Sequence, residues 1–508
     1  MSQTVRTLLD RGDASAPAIG APGRAPLSHG ALRALADDTV AALNAGGIGR
    51  GDKVAIVLPN GPEMAAAFVA IASGAVAAPL NPAYRAEEFE FYLTDLGPKA
   101  LLAKAGDDTP ARAVAERLGV PVVDLVPGEP AGAFTLDGLA PGRAPNGGAA
   151  GPDDPALVLH TSGTTARPKI VPLANRNLTA SARHIGDALA LGPDDRCLNI
   201  MPLFHIHGLV AAVTASLAAG GSVHATPGFN ALRFFTWLAE VDPTWYTAVP
   251  TMHQAILSRA THNKERLGKG TRLRFIRSSS SSLPPQVMLA LEETFGCPVI
   301  ESYGMTEASH QMASNPLPPR ARKPGSVGIA AGPEVGIMAD DGTLLPAGET
   351  GEVVIRGPNV TAGYESNPEA NAKAFTNGWF RTGDQGRLDA EGYLFLTGRL
   401  KELINRGGEK VSPLEVDTVL MDHPAIAQVV TFAMPHEKLG EEVAAVAVLR
   451  EGASATEAEV RAFAAARLAD FKVPRRVLFV DEIPKGATGK LQRVGLAEKL
   501  GIAPEPAR

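Results

Sequence analysis

The sequence predicts an α/β protein: a large, multi-lobed N-terminal part with mainly parallel sheets and a β-rich lobe, then a small α+β C-terminal part. Three observations carry that expectation. Helix-like and strand-like patterns alternate over residues 1 to about 150, as they do in βαβ units. Later apolar runs end in polar loops rich in Gly or Ser, where open α/β sheets collect ligands. From about Lys323 the texture changes to short strands with Gly turns, and an α+β piece of roughly a hundred residues, a reasonable domain size, closes the chain. At 508 residues the chain exceeds what one core supports, so several lobes are expected.

Taken in order, Leu32 to Ala45 reads as an amphipathic helix and Lys53 to Leu58 as a strand. Pro59-Asn60-Gly61-Pro62 turns into a helix over Glu63 to Ser73, and Ala75 to Pro79 returns as a strand. Asp124 to Asp154, rich in Gly, Pro and Ala, reads as surface connection. The strand Ala156-Leu157-Val158-Leu159 then delivers the stretch His160-Thr161-Ser162-Gly163-Thr164-Thr165-Ala166-Arg167-Pro168-Lys169, ahead of a strand starting at Ile170. Hydroxyls, a glycine and two cations in one loop suit a polyanion: the glycine allows close backbone approach, hydroxyls and N–H groups donate to phosphate oxygens, and lysine offsets charge. It is not a Walker A loop, because no Gly-Lys-Ser/Thr stands at the required spacing. Alone, such a loop is as readily an ordinary polar turn.

Asn177 to Leu191 reads as a helix and Asp195 to Pro202 as a strand. Gly208 to Val223 is apolar but short for a membrane span and carries Ala, Thr, Ser and Gly, which predicts a buried helix. Trp245 to Pro250 is a buried strand end with a helix from Thr251. Arg274 to Arg277 reads as a strand running into five serines, Ser278 to Ser282. Val299-Ile300-Glu301 reads as another, running into the polar stretch Ser302-Tyr303-Gly304-Met305-Thr306-Glu307.

Composition narrows the function classes. The 45% hydrophobic and 20% charged content is that of a soluble globular protein. A net charge of −6 without a Lys/Arg-rich block gives no reason to expect a nucleic-acid partner. Cys197 and Cys297 supply neither a disulfide framework nor metal-ligand spacing, which fits a reducing cytoplasm. The N-terminus lacks the apolar core of a secretory signal and the C-terminus lacks a peroxisomal Ser-Lys-Leu. The expected partners are small molecules, with no membrane, on a monomer or homodimer.

Six motifs in order give the chain a family resemblance. They are the Thr161–Lys169 loop, Pro202-Leu203-Phe204-His205, Tyr303-Gly304-Met305-Thr306-Glu307, Thr382-Gly383-Asp384, Gly398-Arg399-Leu400-Lys401-Glu402, and Pro484-Lys485 with Thr488-Gly489-Lys490. From about Asp52 to Arg493 the chain resembles the acyl-adenylate-forming ligases, the superfamily of acyl-CoA synthetases, adenylation domains and luciferases. The resemblance implies ATP, Mg2+ and coenzyme A as co-reactants, a domain over residues 1–399, and a mobile C-terminal domain over 400–508 with its hinge near Lys401. It implies that Thr161, Ser162, Gly163, Thr164, Thr165 and Lys169 hold the β- and γ-phosphates. Tyr303, with Gly304 and Met305, would face adenine. Thr306 would meet the α-phosphate, Glu307 would hold Mg2+, Asp384 would accept from the ribose hydroxyls, and Arg399 would contact ribose or phosphate. Lys490 would insert over the α-phosphate and the acid. Withdrawal of Lys490 by hinge rotation would bring Gly407 and Gly408 beside the pantetheine channel, where a missing side chain keeps a narrow tunnel open. Each residue alone has a plainer reading: Glu307 as a solvated carboxylate at a helix start, Gly-Asp as a turn, Lys490 as a solvated tip. Ala166 and Ile170 depart from the family's usual glycines.

A narrower resemblance addresses the acid. Met201 to Leu209, Thr244 to Thr251, Arg274 to Ser278, Ser314 to Pro318 and Ile404 to Lys410 resemble oxalate–CoA ligases. That resemblance implies that Ser280 and His310 meet the distal carboxylate; the wider family resemblance implies that His205 is a gate at the acyl site, and His207, two residues on, reads as serving the fold. The chemistry agrees, since burying an unpaired second carboxylate costs several kcal/mol and the pocket must offer donors. The alternatives are a ligase for another short, medium-chain or aryl acid, an adenylation protein loading a separate carrier, a non-catalytic nucleotide-binding module, and a luciferase-like oxygenase.

Overall fold

The computed structural model describes residues 3–161, 168–263, 267, 270–486 and 490–502. Among these, four sheets organise the chain, of seven, nine, five and five strands. The seven-stranded sheet runs Phe134–Asp137, Val122–Pro127, Ala100–Lys104, Lys53–Val57, Val76–Pro79, Pro155–His160, Ile170–Ala174. Its interior pairs are parallel and only its two edge pairs are antiparallel. That is what βαβ alternation produces, because each crossover helix returns the chain to the same end of the sheet.

The nine-stranded sheet carries the strands that end at the site. Arg196–Asn199, Trp245–Ala248, Phe275–Ser278 and Val299–Met305 lie side by side in parallel. Between the two large sheets lies the helix Pro62–Ala72, Pro-Glu-Met-Ala-Ala-Ala-Phe-Val-Ala-Ile-Ala, of which every residue but Glu63 is buried. A helix apolar all round must be covered all round, and its alanines let two sheets approach it closely. Proline at its first position presets the helical φ, where its missing N–H costs nothing.

The third sheet holds Glu334–Met338, Gly351–Arg356, Phe375–Thr376, Trp379–Leu388 and Leu394–Arg399, all antiparallel. The fourth, from Ile404 onward, has apolar clusters of its own around Ile404, Val416 and Val443 and around Phe432, Val446 and Leu496.

Several expectations are corrected. Residues 124–154 are not mere connection, because Val122–Pro127 and Phe134–Asp137 form the sheet's antiparallel edge. Their alternation is hidden among glycines and prolines. The apolar stretch from Gly208 is helical only as far as Ala218, beginning as a π-helical segment, His207–Thr214, while Ser222–Ala225 is a strand. The strand begun at Val299 does not stop at Glu301. It continues to Met305 and pairs antiparallel with His310–Ser314, so that the polar motif is itself sheet. Thr382-Gly383-Asp384 likewise lies within the strand Trp379–Leu388, not at a turn.

Candidate active site

Residues from three of the sheets, with Lys490 from the C-terminal part, gather at one site by the carboxyl ends of the parallel strands. Thr161 and Lys169 close the base of the first loop: Thr161 N–H donates to the Lys169 carbonyl at 2.9 Å, and Lys169 N–H donates to Thr161 Oγ1 at 3.1 Å. Ser162, Gly163, Thr164 and Thr165 lie outside the described residues. Lys169 Nζ sits 4.3 Å from the centre of the Tyr364 ring. The Tyr364 hydroxyl in turn donates to Glu307 Oε1 at 2.9 Å. Burial raises the Tyr364 pKa, which keeps its proton in place as a donor. Burial also raises Glu307, against the pull of Tyr364, Arg399 and Lys169. Burial lowers Lys169, as does Lys401, while Glu307 opposes them. Lys169, Tyr364 and Glu307 thus join the loop to the Tyr303–Glu307 strand end, with Thr306 and Glu307 in a short 3-10 turn after Met305.

Gly304 is required where it stands, since a Cβ there would lie 1.9 Å from the His310 carbonyl oxygen. Beside it the Tyr303 hydroxyl donates to Asp384 Oδ2, and Arg399 Nε donates to Asp384 Oδ1 at 2.8 Å. Both carboxylate oxygens already accept from the protein, yet each keeps a second lone pair for a sugar hydroxyl. Asp384 raises the pKa of Arg399 more than burial lowers it.

The other half of the site is built differently. Ser280 and His310 both hold left-handed backbone, at φ 74° and 96°. Ser280 Oγ lies 3.0 Å from His207 Nδ1, and His207 Nε2 lies 2.6 Å from Thr247 Oγ1. The His207 and His310 rings are 4.9 Å apart. Arg277, fully buried, reaches both rings, with Nη1 at 3.4 Å from His207 Nε2 and Nη2 at 3.5 Å from His310 Nδ1 and 3.2 Å from Gln311 Oε1. Among the described residues no carboxylate pairs with Arg277, and neither its Nε nor His310 Nε2 finds a hydrogen-bond partner. Burial pushes Arg277 down to about 9. Burial also drives all three imidazoles neutral: His205 falls to about 3, and His207 and His310 fall well below the ordinary value.

Lys490 joins the two halves. Its carbonyl accepts from the Gly486 N–H at 2.8 Å. Burial and Arg399 push Lys490 down to about 8, against the pull of Asp384 and Glu307, and its charge is felt at His205, His207 and His310. Gly407 and Gly408 are not brought to the site. They form an exposed two-residue turn at φ 59° and 102°, between Ile404–Arg406 and Glu409–Val411. Lys401 is exposed at the start of the C-terminal part.

Sequence reasoning overlooked Arg277, Thr247 and Tyr364, and gave His207 to the fold. A lone tyrosine carries no signal, but an arginine closing an apolar strand ahead of a serine run is a buried charge announced in advance. His207, at the first turn of an apolar helix, is the same kind of signal.

Residues 10–365 match the AMP-binding enzyme family and residues 415–490 match the AMP-binding enzyme C-terminal domain. The chain is 47% identical to oxalate–CoA ligase of Arabidopsis thaliana over 94% of each chain. It is 42% identical to oxalate–CoA ligase of Saccharomyces cerevisiae over 89% of this chain and 88% of that one. Among solved structures it is similar to ATP-bound MatB of Rhodopseudomonas palustris, with a TM-score of 0.88 at 32% identity over 98% of this chain and 99% of that one. Against the apo form of that protein the TM-score is 0.77.

Proposed function

The chain belongs to the AMP-binding enzyme family and is an AMP-forming acid–CoA ligase, and we propose that its acid is oxalate. One oxalate carboxylate attacks the α-phosphorus of ATP and displaces pyrophosphate, giving oxalyl-AMP; the CoA thiol then attacks the acyl carbon and releases AMP. Attack brings two anions together, so catalysis is chiefly the stabilisation of charge that accumulates on the α-phosphate. Lys490 is the residue for that task, because its charge is felt both by the imidazoles and, with Asp384, Arg399 and Glu307, at the nucleotide end, and burial lowers its pKa only to about 8. Thr306 donates beside it, Asp384 holds the ribose, and Tyr303 supports the adenine.

Glu307 suits Mg2+. Its buried carboxylate would hold the ion beside the phosphates of ATP, a donor set that Mg2+ commonly takes. When bound, Mg2+ supplies neutralisation of the phosphate oxygens. For the second half-reaction the exposed Lys401 is the hinge about which residues 400–508 turn, withdrawing Lys490 and bringing Gly407 and Gly408 toward the thiol's path.

The oxalate reading rests on one observation above the rest: the buried Nε2 of His310, without a partner among the described residues, in the same constellation as Ser280. An apolar acyl chain would leave it unsatisfied, at about 1–3 kcal/mol. The likeness to two oxalate–CoA ligases supports the same acid. Pyrophosphate release with ATP, Mg2+ and CoA tests it across oxalate, malonate, acetate, hexanoate and coumarate. Preference for oxalate is expected. Preference for hexanoate or coumarate would leave the ligase class standing and remove the roles given to His310 and Ser280.

A further inference from the structure

We propose that Arg277 is the positioning residue that makes this site select acids bearing a second anionic group, acting through His310 by one arm and through Thr247, His207 and Ser280 by the other. This rests on the reading of His310 and Ser280 as the pocket for the far end of the acid.

The argument follows the protons. A guanidinium can only donate. His310 Nδ1, 3.5 Å from Arg277 Nη2, is therefore an accepting nitrogen. The proton of the neutral imidazole then sits on Nε2, the buried atom without a partner among the described residues. His207 Nε2 faces Arg277 Nη1 at 3.4 Å and the Thr247 hydroxyl at 2.6 Å, so it also accepts. Its proton sits on Nδ1 and is given to Ser280 Oγ at 3.0 Å, which frees the Ser280 hydroxyl to donate onward. One cation thus fixes two neutral imidazoles in the tautomers that present donors, one from His310 Nε2 and one from Ser280 Oγ.

The same cation supplies the charge. With the imidazoles neutral, positive potential at this end of the site comes from Arg277 and Lys490. A fully buried arginine without a carboxylate is costly to keep, and a bound anion offsets that cost. Gln311 holds the guanidinium in place: its Oε1 accepts from Nη2 at 3.2 Å, while its Nε2 donates to the His184 and Ala331 carbonyls at 3.2 Å each. The substrate class that completes the constellation is a short acid with a second anionic group.

The test compares Arg277→Met, Arg277→Lys and Thr247→Val with the parent protein. Pyrophosphate release gives kcat and KM for oxalate, for acetate and for ATP, and thermal melting checks the fold. Arg277→Met is expected to lower the ratio of kcat/KM for oxalate to that for acetate on the order of a hundredfold, chiefly through the KM for oxalate. Arg277→Lys should restore part of that ratio. Thr247→Val, which cuts one arm in nearly the same volume, should lower it several-fold and serves if Arg277→Met does not fold. Equal losses on both acids, or an unchanged ratio in Thr247→Val, overturn the proposal. If the parent protein instead prefers another short dianion over oxalate, the oxalate reading fails while Arg277 keeps its role, read with that acid. A parent protein indifferent to the second charge overturns both.

Discussion

Arg399 and Arg277 lie in one site and are kept in opposite ways. Arg399 donates to Asp384 at 2.8 Å, and that carboxylate raises its pKa. Arg277 has no carboxylate among the described residues, is fully buried, and is pushed down to about 9. The nucleotide end is balanced before anything binds: Arg399 meets Asp384, and Lys169 meets Glu307 across the Tyr364 ring. The acid end leaves a cation and a buried donor uncompensated among the described residues. ATP brings its own cation, so its site needs orientation more than charge, whereas the acid arrives bare and must find its counter-charge in the protein. The difference in wiring thus matches the difference between the two ligands.

Lys490 belongs to both ends, and its removal should have the largest effect. Lys490→Ala is expected to slow adenylate formation on the order of 10²- to 10³-fold, read as pyrophosphate release. Thioester formation from preformed acyl-AMP and CoA should fall far less, and equal losses in both half-reactions would place the lysine elsewhere in the cycle. His310→Ala acts on the acid end alone: about a tenfold or greater loss in kcat/KM for oxalate is expected, with the KM for ATP nearly unmoved. A parallel loss for ATP would make His310 a support of the fold. Tyr364→Phe is the complementary cut at the nucleotide end, with a few-fold rise in the KM for ATP and little change for the acid, as removal of one neutral donor implies.

Glu301 sharpens the contrast from outside the site. It lies on the strand next to Arg277 and is 2% exposed, with one oxygen accepting from Leu283 N–H at 2.8 Å and the other unpartnered among the described residues. Burial raises it from 4.5 to about 8, so it sheds its charge where Arg277 keeps one. The folded state holds this proton more tightly than the unfolded chain. The stability it gives is therefore complete below about pH 4.5 and is lost as pH rises toward 8, by about 1.4 kcal/mol per unit over that window. Glu301→Gln should flatten the fall in melting temperature between about pH 6 and about pH 8, with turnover little changed. An unaltered slope would mean that Glu301 is ionised in the folded state.

Much of the fold was legible because its signals are local. The helix His29–Ala45 and the strand Lys53–Val57 lie within a few residues of their expected bounds. The strand Val299–Met305 was cut short because Tyr303-Gly304-Met305 lacks the apolar run that marks its first half; its partner, His310–Ser314, is what makes it sheet. The site was legible wherever a motif gathers chemistry into one stretch, as at Tyr303–Glu307. Arg277 was not, because its meaning lies in three elements far apart in sequence: the π-helical turn at His207, the strand at Thr247 and the strand at His310.

The left-handed backbone at Ser280 and His310 bears on how this ligase could change its acid. A pocket for a hydrocarbon chain calls for valine, isoleucine or leucine at these positions, yet branched and bulky residues tolerate φ values of 74° and 96° poorly. Glycine alone enters freely, and it removes the donor without filling the space. Point substitution therefore opens a route to a roomier and less selective pocket, and a true chain-acid enzyme lies beyond a change in the backbone course at both positions. Acid range in this scaffold is guarded by backbone geometry as well as by charge.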